Sequence, residues 1–354
     1  MKKFLYLLIC LFSYQLAFAA NEFNLYIGSN YIADSTVKRF DDQNNCTLVQ
    51  NFFNDNEEML AKIVAGANGY NTIVATSYAV EELALMGKIK PLDKSKLPNL
   101  KYINKQFLNQ AYDPDNKYSV PYAYTPVFLA YNKDKLRQLG IVPDTWAVIF
   151  DPKYLNKLKG KVTVFDSSRN VIAAALLYLG KDPNSEKESD LLAARAVIDR
   201  AAPYWAKFDS DSYYRGLLRG DVWVSMSYSI DIFKTIQDAK ASHAKVNIDA
   251  MLQKEGNMYE LDNLVIPFYV SDTKLAYQLI NNLLSTKSSI ELANMTGASI
   301  MNKVALAKID PVIKNTPWIY PPNMQKMHSF KNYAPKIRIM INEAWLELQL
   351  SCHQ

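Results

Sequence analysis

The sequence predicts an α/β protein of two lobes, each a mostly parallel sheet flanked by helices. Short apolar runs alternate with amphipathic segments along the chain, which is typical of α/β layering. The length of 354 residues is sufficient for about two domain-sized units. No low-complexity linker divides the chain. We therefore expect it to cross between the two lobes several times.

The first part of the chain after residue 20 predicts three successive strand–helix units. Strands are expected at 23–27, 47–53 and 72–75, and helices at 35–40, 56–65 and 80–86. This order usually gives a parallel sheet that is covered on both faces.

A long apolar passage at 127–132 has the character of a strand that runs between lobes. The remaining elements alternate in the same way. Strands are expected at 161–165, 222–226 and 264–267, and helices at 171–179, 190–201, 230–239, 274–284 and 337–350.

Residues 1–19 have the pattern of a cleaved secretory signal peptide. Lys2 and Lys3 precede an apolar run at 4–16, and Ala17-Phe18-Ala19 has the small-x-small pattern of a cleavage site. A membrane-spanning helix needs roughly 20 apolar residues, and this run is shorter. The residues before Cys10 lack the small residue of a lipoprotein site, so we expect no lipid anchor. The sequence therefore predicts export to the periplasm.

The charge of the exported chain argues against nucleic acid as a partner. Loss of Lys2 and Lys3 with the signal peptide lowers the net charge from +5 to +3, since 38 basic residues then face 35 acidic ones. No block of Lys or Arg stands out. Only Cys46 and Cys352 remain, and we expect structural roles for both, whether or not they pair.

Polar and aromatic residues follow five of the predicted strands or short apolar runs. Ligands of parallel sheets meet the loops at the carboxyl ends of the strands. One such set alone would indicate a turn or a helix cap, but five in equivalent places favour a binding cleft. The sets are Ser29-Asn30-Tyr31, Thr76-Ser77-Tyr78, 166–170, Ser227-Tyr228-Ser229 with Asp231, and Glu260 with Asp262.

Several longer motifs are similar to those of a known family. They are YAV at 78–80 leading to GKI at 87–89, LDKSKL at 92–97, DPDN at 113–116 with YSVPY at 118–122, KEG at 254–256 ahead of Asp262, and IYPP at 319–322. With these motifs, nearly the whole chain after residue 19 resembles the periplasmic spermidine/putrescine-binding proteins that serve ABC importers. Most of the motifs belong to the scaffold, so they indicate the fold more firmly than the ligand.

The resemblance implies a two-lobed periplasmic-binding-protein fold of type II with crossover hinge strands. The implied function is capture of a polyamine in the cleft by Venus-flytrap closure, without a cofactor or a metal and without catalysis. The implied partners are a small cationic solute and an inner-membrane ABC permease, and the implied state is a monomer. We expect 20–127 and 260–297 to form lobe 1, and 128–259 and 298–354 to form lobe 2.

An elongated ammonium ligand needs carboxylates for its charged nitrogens, aromatic rings along its methylene chain, and closure that excludes water. Residues of the required types stand at positions where the family holds its ligand. They are Ser29, Tyr31, Thr76, Tyr78, Tyr228, Asp231 and Asp262, of which we expect Asp262 to be the main anchor of an amine.

The chain also departs from the family's pattern. Gly28 replaces a tryptophan and Asn30 an acidic residue, while Glu260 adds an acid at an aromatic position. Ser167 and Asn170 stand where spermidine binders have two carboxylates. Further polar lining is expected from Ser210 and from Asn332, which is near a position usually held by glutamine.

The number of acidic residues at these positions does not decide which ligand is bound. A buried ion without a partner costs several kcal/mol, so the far ammonium of a triamine would be poorly matched here. The ligand is then either a polyamine in a shifted pose anchored by Glu260, or another polar cation or amino-acid-like solute on the same scaffold.

Three other classes of function are weighed against binding and import. An enzyme is disfavoured, because no nucleophile elbow, zinc-protease motif or phosphate-binding glycine loop is present. Tyr213-Tyr214 could serve a ferric-ion binder, although no neighbouring histidine or carboxylate ligand is evident. A receptor subunit that reports the closed form to a sensor would use the outer faces of the lobes as an importer subunit does, so the sequence does not separate these two roles.

Overall fold

Eleven strands and fifteen α-helices make up residues 21–352, the part of the chain that the computed structural model describes. The strands are β1 Asn21–Gly28, β2 Cys46–Phe53, β3 Thr72–Thr76, β4 Ser119–Asn132, β5 Val162–Val164, β6 Lys207–Phe208, β7 Val224–Tyr228, β8 Ile248–Met251, β9 Asn257–Val265, β10 Ser299–Ile300 and β11 Met327–Ser329.

The helices lie between the strands, singly or in groups of two or three, and most are short. They are α1 Asp34–Asn44, α2 Asn56–Val64, α3 Ser77–Leu85, α4 Lys133–Leu139, α5 Ala147–Phe150, α6 Pro152–Leu158, α7 Ser168–Tyr178, α8 Glu188–Ala201, α9 Tyr213–Arg219, α10 Ser229–Ala241, α11 Lys274–Leu284, α12 Thr286–Thr296, α13 Lys303–Leu306, α14 Pro311–Lys314 and α15 Pro335–Cys352.

The first lobe is built on the predicted run of three strand–helix units. β1 pairs in parallel with β2 and with β3. β3 then pairs antiparallel with β9, and β9 pairs antiparallel with the first half of β4. The second lobe repeats this arrangement, because β5 pairs in parallel with β6 and β7, and β7 and β8 pair antiparallel with the second half of β4. The predicted two-lobed α/β fold is confirmed.

β4 connects the two lobes directly. Its residues 119–126 pair with β9, its residues 127–132 pair with β7 and β8, and all fourteen are buried. The predicted strand at 127–132 is therefore only the second half of β4. Pro121 and Pro126 interrupt the apolar pattern of the first half, so its strand character is not visible in the sequence.

β9 is also longer than its predicted counterpart. The sequence predicts a strand at 264–267, whereas β9 covers Asn257–Val265. Buried carboxylates at Glu260 and Asp262 hide the strand from an apolar pattern, although both lie inside the sheet. α12 is likewise absent from the prediction, because serine and threonine dominate its first turn and favour turns and caps over helix interiors.

The segment after 297 contacts both lobes. β10 pairs with Ala123 and Tyr124 in the first half of β4, and Asn302 donates to the Leu284 carbonyl oxygen at 3.0 Å. β11 instead pairs with residues 257–259 at the start of β9, and α15 packs against α7. Residues 299–302 therefore contact the first lobe, and the lobe boundaries expected from the sequence stay a prediction.

Buried apolar residues of both lobes form one hydrophobic cluster, to which Cys46 belongs. The predicted signal peptide at 1–19 lies outside the described residues. The side chain of Cys352 also lies outside them, so a pairing of Cys352 with Cys46 stays a prediction. Within 21–352, no helix combines the length and the apolar character that crossing a membrane requires.

Candidate functional site

A cleft of about 140 Å³ lies where the carboxyl ends of strands from both lobes meet. Its walls come from the carboxyl ends of β1, β2 and β7 and the loops that follow them, from the loop after β6, and from the starts of α2, α9 and α10. Interior residues of β3, β4 and β9 complete the lining. The lining residues are Gly28, Ser29, Tyr31, Phe52, Phe53, Asn54, Asp55, Asn56, Val74, Thr125, Ser210, Asp211, Tyr214, Tyr228, Ile230, Asp231, Glu260 and Asp262. We call this set the cleft.

Asp262 lies at the floor of the cleft in a network of hydroxyl groups. Tyr31 donates its hydroxyl to Asp262 Oδ2 at 2.6 Å and also lies in hydrogen-bond contact with Thr125. The Tyr31 backbone is held in turn by the Tyr122 hydroxyl, which donates to the Tyr31 carbonyl oxygen at 2.6 Å. Burial raises the pKa of Asp262 to about 7, and the hydrogen bond from Tyr31 opposes that rise.

Glu260 lies beside Asp262 because residues two apart on a strand face the same side of the sheet. The Thr76 hydroxyl donates to Glu260 Oε2 at 2.7 Å. Burial, followed by the charge of Asp262, raises the pKa of Glu260 to about 8. The floor of the cleft therefore carries two buried carboxyl groups that gain from a neighbouring positive charge.

The second lobe supplies an aromatic wall and a third carboxylate. The Tyr228 ring stacks on Phe165 with 4.4 Å between ring centroids. Asp231 follows one helical turn later in α10, and its Oδ2 accepts the Tyr213 hydroxyl at 2.5 Å. Burial raises the pKa of Asp231, and this hydrogen bond lowers it.

Asp55 is a lining residue that the sequence analysis missed. It caps α2 by accepting the Glu58 backbone N–H at 2.7 Å, and it lines the cleft with Phe52 and Phe53. Burial and the charge of Glu57 raise the pKa of Asp55 to about 7. The signal was available, because Asp55 lies two residues after the end of the second predicted strand and the rule for carboxyl ends applies there as well. Asp211 was also missed, and Tyr214 was considered only as part of a tyrosine pair for ferric iron.

Seven of the thirteen predicted site residues line the cleft, and six do not. Those that line it are Ser29, Tyr31, Ser210, Tyr228, Asp231, Glu260 and Asp262. Of the others, Asn30 is exposed in a left-handed turn, with φ 61°. Thr76 acts through its hydrogen bond to Glu260.

Ser167 and Asn170 stand behind the aromatic wall. Ser167 caps α7 by accepting the backbone N–H of Asn170. The Asn170 amide lies 3.2 Å from the Ser167 hydroxyl and 3.3 Å from the Tyr228 hydroxyl. The two residues therefore support Tyr228 rather than line the cleft.

Tyr78 and Asn332 do not belong to the cleft lining. The Tyr78 ring is buried and packs against the guanidinium group of Arg169. Asn332 is half-buried, and its side-chain oxygen has no hydrogen-bond partner among the described residues.

The charged side chains that line the cleft are all acidic. Its lining includes five carboxylates and five aromatic side chains, but no lysine or arginine. Such a site favours a compact organic cation with apolar carbons, since carboxylates pair with the charge and ring faces attract it. Within 21–352, no three His, Cys, Asp or Glu side chains are grouped as a metal site would require. The Tyr213 hydroxyl of the tyrosine pair is used by Asp231.

Known proteins match almost the whole chain. The model of the family described as "bacterial extracellular solute-binding protein" matches residues 35–320. The chain is 38% identical over 352 residues to the putrescine/cadaverine-binding protein of Pseudomonas aeruginosa, a match that covers 99% of each chain. It is 31% identical over 335 residues to the putrescine-binding periplasmic protein PotF of Escherichia coli, covering 92% and 90% of the two chains. The solved structure of the Tp0655 (TpPotD) lipoprotein of Treponema pallidum superposes with a TM-score of 0.81 at 25% identity, covering 93% of this chain and 100% of that one.

Proposed function

This chain belongs to the bacterial extracellular solute-binding proteins, and on that premise we propose that it binds a short aliphatic diamine of the putrescine and cadaverine class for import. The role requires capture and release of the ligand rather than covalent chemistry. The Pseudomonas aeruginosa relative is described as binding putrescine and cadaverine and the Escherichia coli relative as binding putrescine, which supports this class of ligand.

The observation that carries the proposal is the carboxyl pair of Glu260 and Asp262. Both are almost fully buried, and burial disfavours their charged forms. A bound ammonium group would supply the missing counter-charge. The Tyr31 hydroxyl already orients Asp262, so the anchor is formed before the ligand arrives.

Two further carboxylates of the cleft lining suit the second end of a diamine. Asp231 and Asp55 come from different lobes and both line the cleft, while Tyr228 and Phe53 offer ring surface for methylene groups. A diamine would then span carboxylates of both lobes and draw them together, which is how closure of a hinged binding protein is coupled to its ligand.

The proposed function would take place in the periplasm. We propose that residues 1–19 direct export and are removed, and that the closed form of a monomer delivers the ligand to an inner-membrane ABC permease. The periplasmic location named for the Escherichia coli relative supports this setting.

The experiment is a thermal-shift screen followed by titration calorimetry on protein refolded without ligand. Putrescine and cadaverine at 100 times the dissociation constant should raise the free energy of unfolding by about 2.7 kcal/mol. Butane-1,4-diol is the matched control, because it has the same carbon chain without charge, and it should have no effect. A response to basic amino acids or quaternary amines with none to any diamine would contradict the proposal and indicate another cationic solute on the same scaffold.

A further inference from the structure

Gly28, the last residue of β1, differs from the other glycines of the chain. Nine of the eleven glycines have a positive φ, which residues with a side chain rarely adopt. Gly216 of α9 lacks a positive φ, but a Cβ added there would lie 2.8 Å from Val222 Cγ2. Gly28 has neither a positive φ nor a crowded surrounding. The fold therefore does not require a glycine at this position.

The place of the missing side chain is open space inside the cleft. Gly28 belongs to the cleft lining, and a Cβ there would lie 3.7 Å from Cδ2 and 3.9 Å from Cε2 of Tyr31, which is ordinary van der Waals contact. Gly28 is also the register partner of Phe53, another lining residue, yet no Phe53 atom lies within 4 Å of this Cβ. The cleft is therefore unfilled along the Tyr31 ring, on the side of Phe53.

This space lies along a wall of the first lobe that carries a carboxylate at each end. At one end the Tyr31 hydroxyl donates to Asp262 Oδ2 at 2.6 Å, so the Tyr31 ring reaches from that carboxylate to Gly28. At the other end Phe53 stands two residues before Asp55. All five residues line the same cavity. A ligand that lies along this wall would have a carboxylate at either end and apolar ring surface in the middle.

We propose that Gly28 makes room for the carbon chain of the bound diamine, which lies along the Tyr31 ring between an ammonium group at Asp262 and an ammonium group at Asp55. The inference rests on the proposed function, and it assigns the pose of the diamine to one residue. Methylene groups are stabilised by burial against an aromatic ring. A side chain at position 28 would compete with them for the same space.

The first test fills this space without changing the charge of the cleft. Gly28→Ala adds a methyl group and Gly28→Val an isopropyl group, and titration calorimetry on protein refolded without ligand measures the dissociation constants of putrescine and cadaverine. Overfilling should weaken both diamines by about fivefold or more in Gly28→Ala, and further in Gly28→Val. Cadaverine should lose at least as much affinity as putrescine, because it has one more methylene group to place. A smaller loss for cadaverine would contradict the proposed pose.

The stability of Gly28→Ala should change in the opposite direction to its affinity. Alanine at an unstrained strand position restricts the unfolded chain, so the unfolding temperature of the ligand-free variant should be unchanged or higher. Weaker binding together with a lower unfolding temperature would assign the effect to a disturbed fold and overturn the inference.

Gly216→Ala is the matched control. Gly216 is the other glycine without a positive φ, and it lies outside the cleft lining. Its replacement should leave both dissociation constants within about twofold of the wild type, as expected for a site without shared contacts. A loss equal to that of Gly28→Ala would mean that any added methyl group of this kind weakens binding, and the inference would be wrong.

The second test asks whether the carbon chain leads to Asp55. Asp55→Asn removes the charge and keeps an acceptor for the Glu58 N–H at the start of α2. Alone it should weaken putrescine by about tenfold or more. Combined with Gly28→Ala, the loss should be smaller than the product of the two separate losses, because a diamine displaced from the Tyr31 ring no longer reaches Asp55. A combined loss equal to the product would overturn the inference.

The two proposals fail in different ways. If the wild type binds diamines and both Gly28 variants bind them as tightly, the inference is wrong and diamine binding stands. If the wild type binds neither putrescine nor cadaverine, the proposed function falls and the inference falls with it.

Discussion

At the scale of single residues, the cleft depends on buried carboxyl groups whose charged forms are unfavourable until a cationic ligand binds. Glu260 and Asp262 are 5% and 4% exposed, and they stand two positions apart on one strand. Burial raises the pKa of both groups, so each holds a proton more readily than an exposed carboxyl would. A cation bound between them favours the charged forms and supplies the partner that the empty site lacks.

Replacing Asp262 by asparagine should weaken diamine binding. The change keeps the shape and the acceptor for Tyr31 but removes the charge that pairs with an ammonium group. Hydrogen bonds to charged groups contribute about 1.5–3 kcal/mol, which corresponds to roughly tenfold to over a hundredfold in affinity. Titration calorimetry with putrescine measures this directly.

Asp211→Asn is the control for that measurement. Asp211 also lines the cleft, but its side chain is exposed at the rim, where water screens its charge. Its loss should change the affinity less than threefold, as expected for an exposed ion pair. Equal losses for the two variants would mean that the cleft attracts cations through its overall charge and that Asp262 has no special role.

Diamine affinity should depend on pH in a direction set by the same groups. Binding of a dication favours ionised carboxylates, and burial raises the pKa of Glu260 to about 8 and that of Asp262 to about 7. Affinity for putrescine should therefore fall by at least about tenfold from pH 8 to pH 6, because protons must be released on binding. Calorimetry at pH 7 in buffers of different ionisation enthalpy should detect this release. A flat profile would contradict the raised pKa values.

The stability of the ligand-free protein should follow the opposite trend. Between the usual pKa values of 4.5 and 3.8 and the raised ones, the folded state holds protons that the unfolded chain has released. The contribution of these two groups to the free energy of unfolding therefore falls as the pH rises from about 5 to about 8. Glu260→Gln should make the thermal unfolding temperature depend less on pH between about pH 5 and pH 8. Saturating putrescine should reduce the same pH dependence.

At the scale of elements, α12 and α10 approach closely because a glycine without a side chain stands at their contact. Gly297 ends α12 with φ 68°, and a Cβ added there would lie 2.5 Å from the Phe233 ring of α10. Gly180, which follows the end of α7, has nearly the same φ of 69° but open space around it. The two positions therefore separate the cost of backbone strain from the cost of crowding.

Gly297→Ala should destabilise the protein more than Gly180→Ala. The left-handed conformation alone costs an alanine about 1–2 kcal/mol, and the clash with Phe233 adds about 1–3 kcal/mol at position 297 only. Urea unfolding of both variants measures the difference in the free energy of unfolding. Equal losses would mean that α12 and α10 shift apart without cost.

At the scale of the whole molecule, two ion pairs join elements of the two lobes. Arg169 of α7 pairs with Glu57 of α2, and Arg338 of α15 pairs with Glu82 of α3. Both arginines belong to the second lobe and both acids to the first. Opening the cleft would break these contacts, so they favour a closed molecule even before a ligand is bound.

Arg338→Gln should shift the ligand-free protein toward the open form. Small-angle X-ray scattering should give a larger radius of gyration for the variant than for the wild type, and equal values for both with saturating putrescine. Because a partly exposed pair contributes at most about 1 kcal/mol, putrescine affinity should weaken by no more than about fivefold. A variant with an unchanged radius in both states would show that this pair does not influence opening.

The sequence by itself determined the α/β order, the two lobes and the strand ends at which polar groups gather. These features follow from local patterns in the sequence, because apolar runs predict β1, β2 and β3. Ser29, Tyr228 and Asp262 follow such runs or belong to a recognisable motif. The same local rule applied to the second strand would have included Asp55.

Only the tertiary structure decided which side chains face the cleft. Tyr78 has the residue type and the position of a ligand-binding aromatic, yet its ring faces Arg169, ninety-one residues further along the chain. Buried Glu260 and Asp262 similarly interrupt the apolar pattern of β9 while lying inside it. The physical reason is that a sequence pattern reports the preference of each segment for a conformation, whereas the partner that fills a buried space is chosen by packing between distant segments.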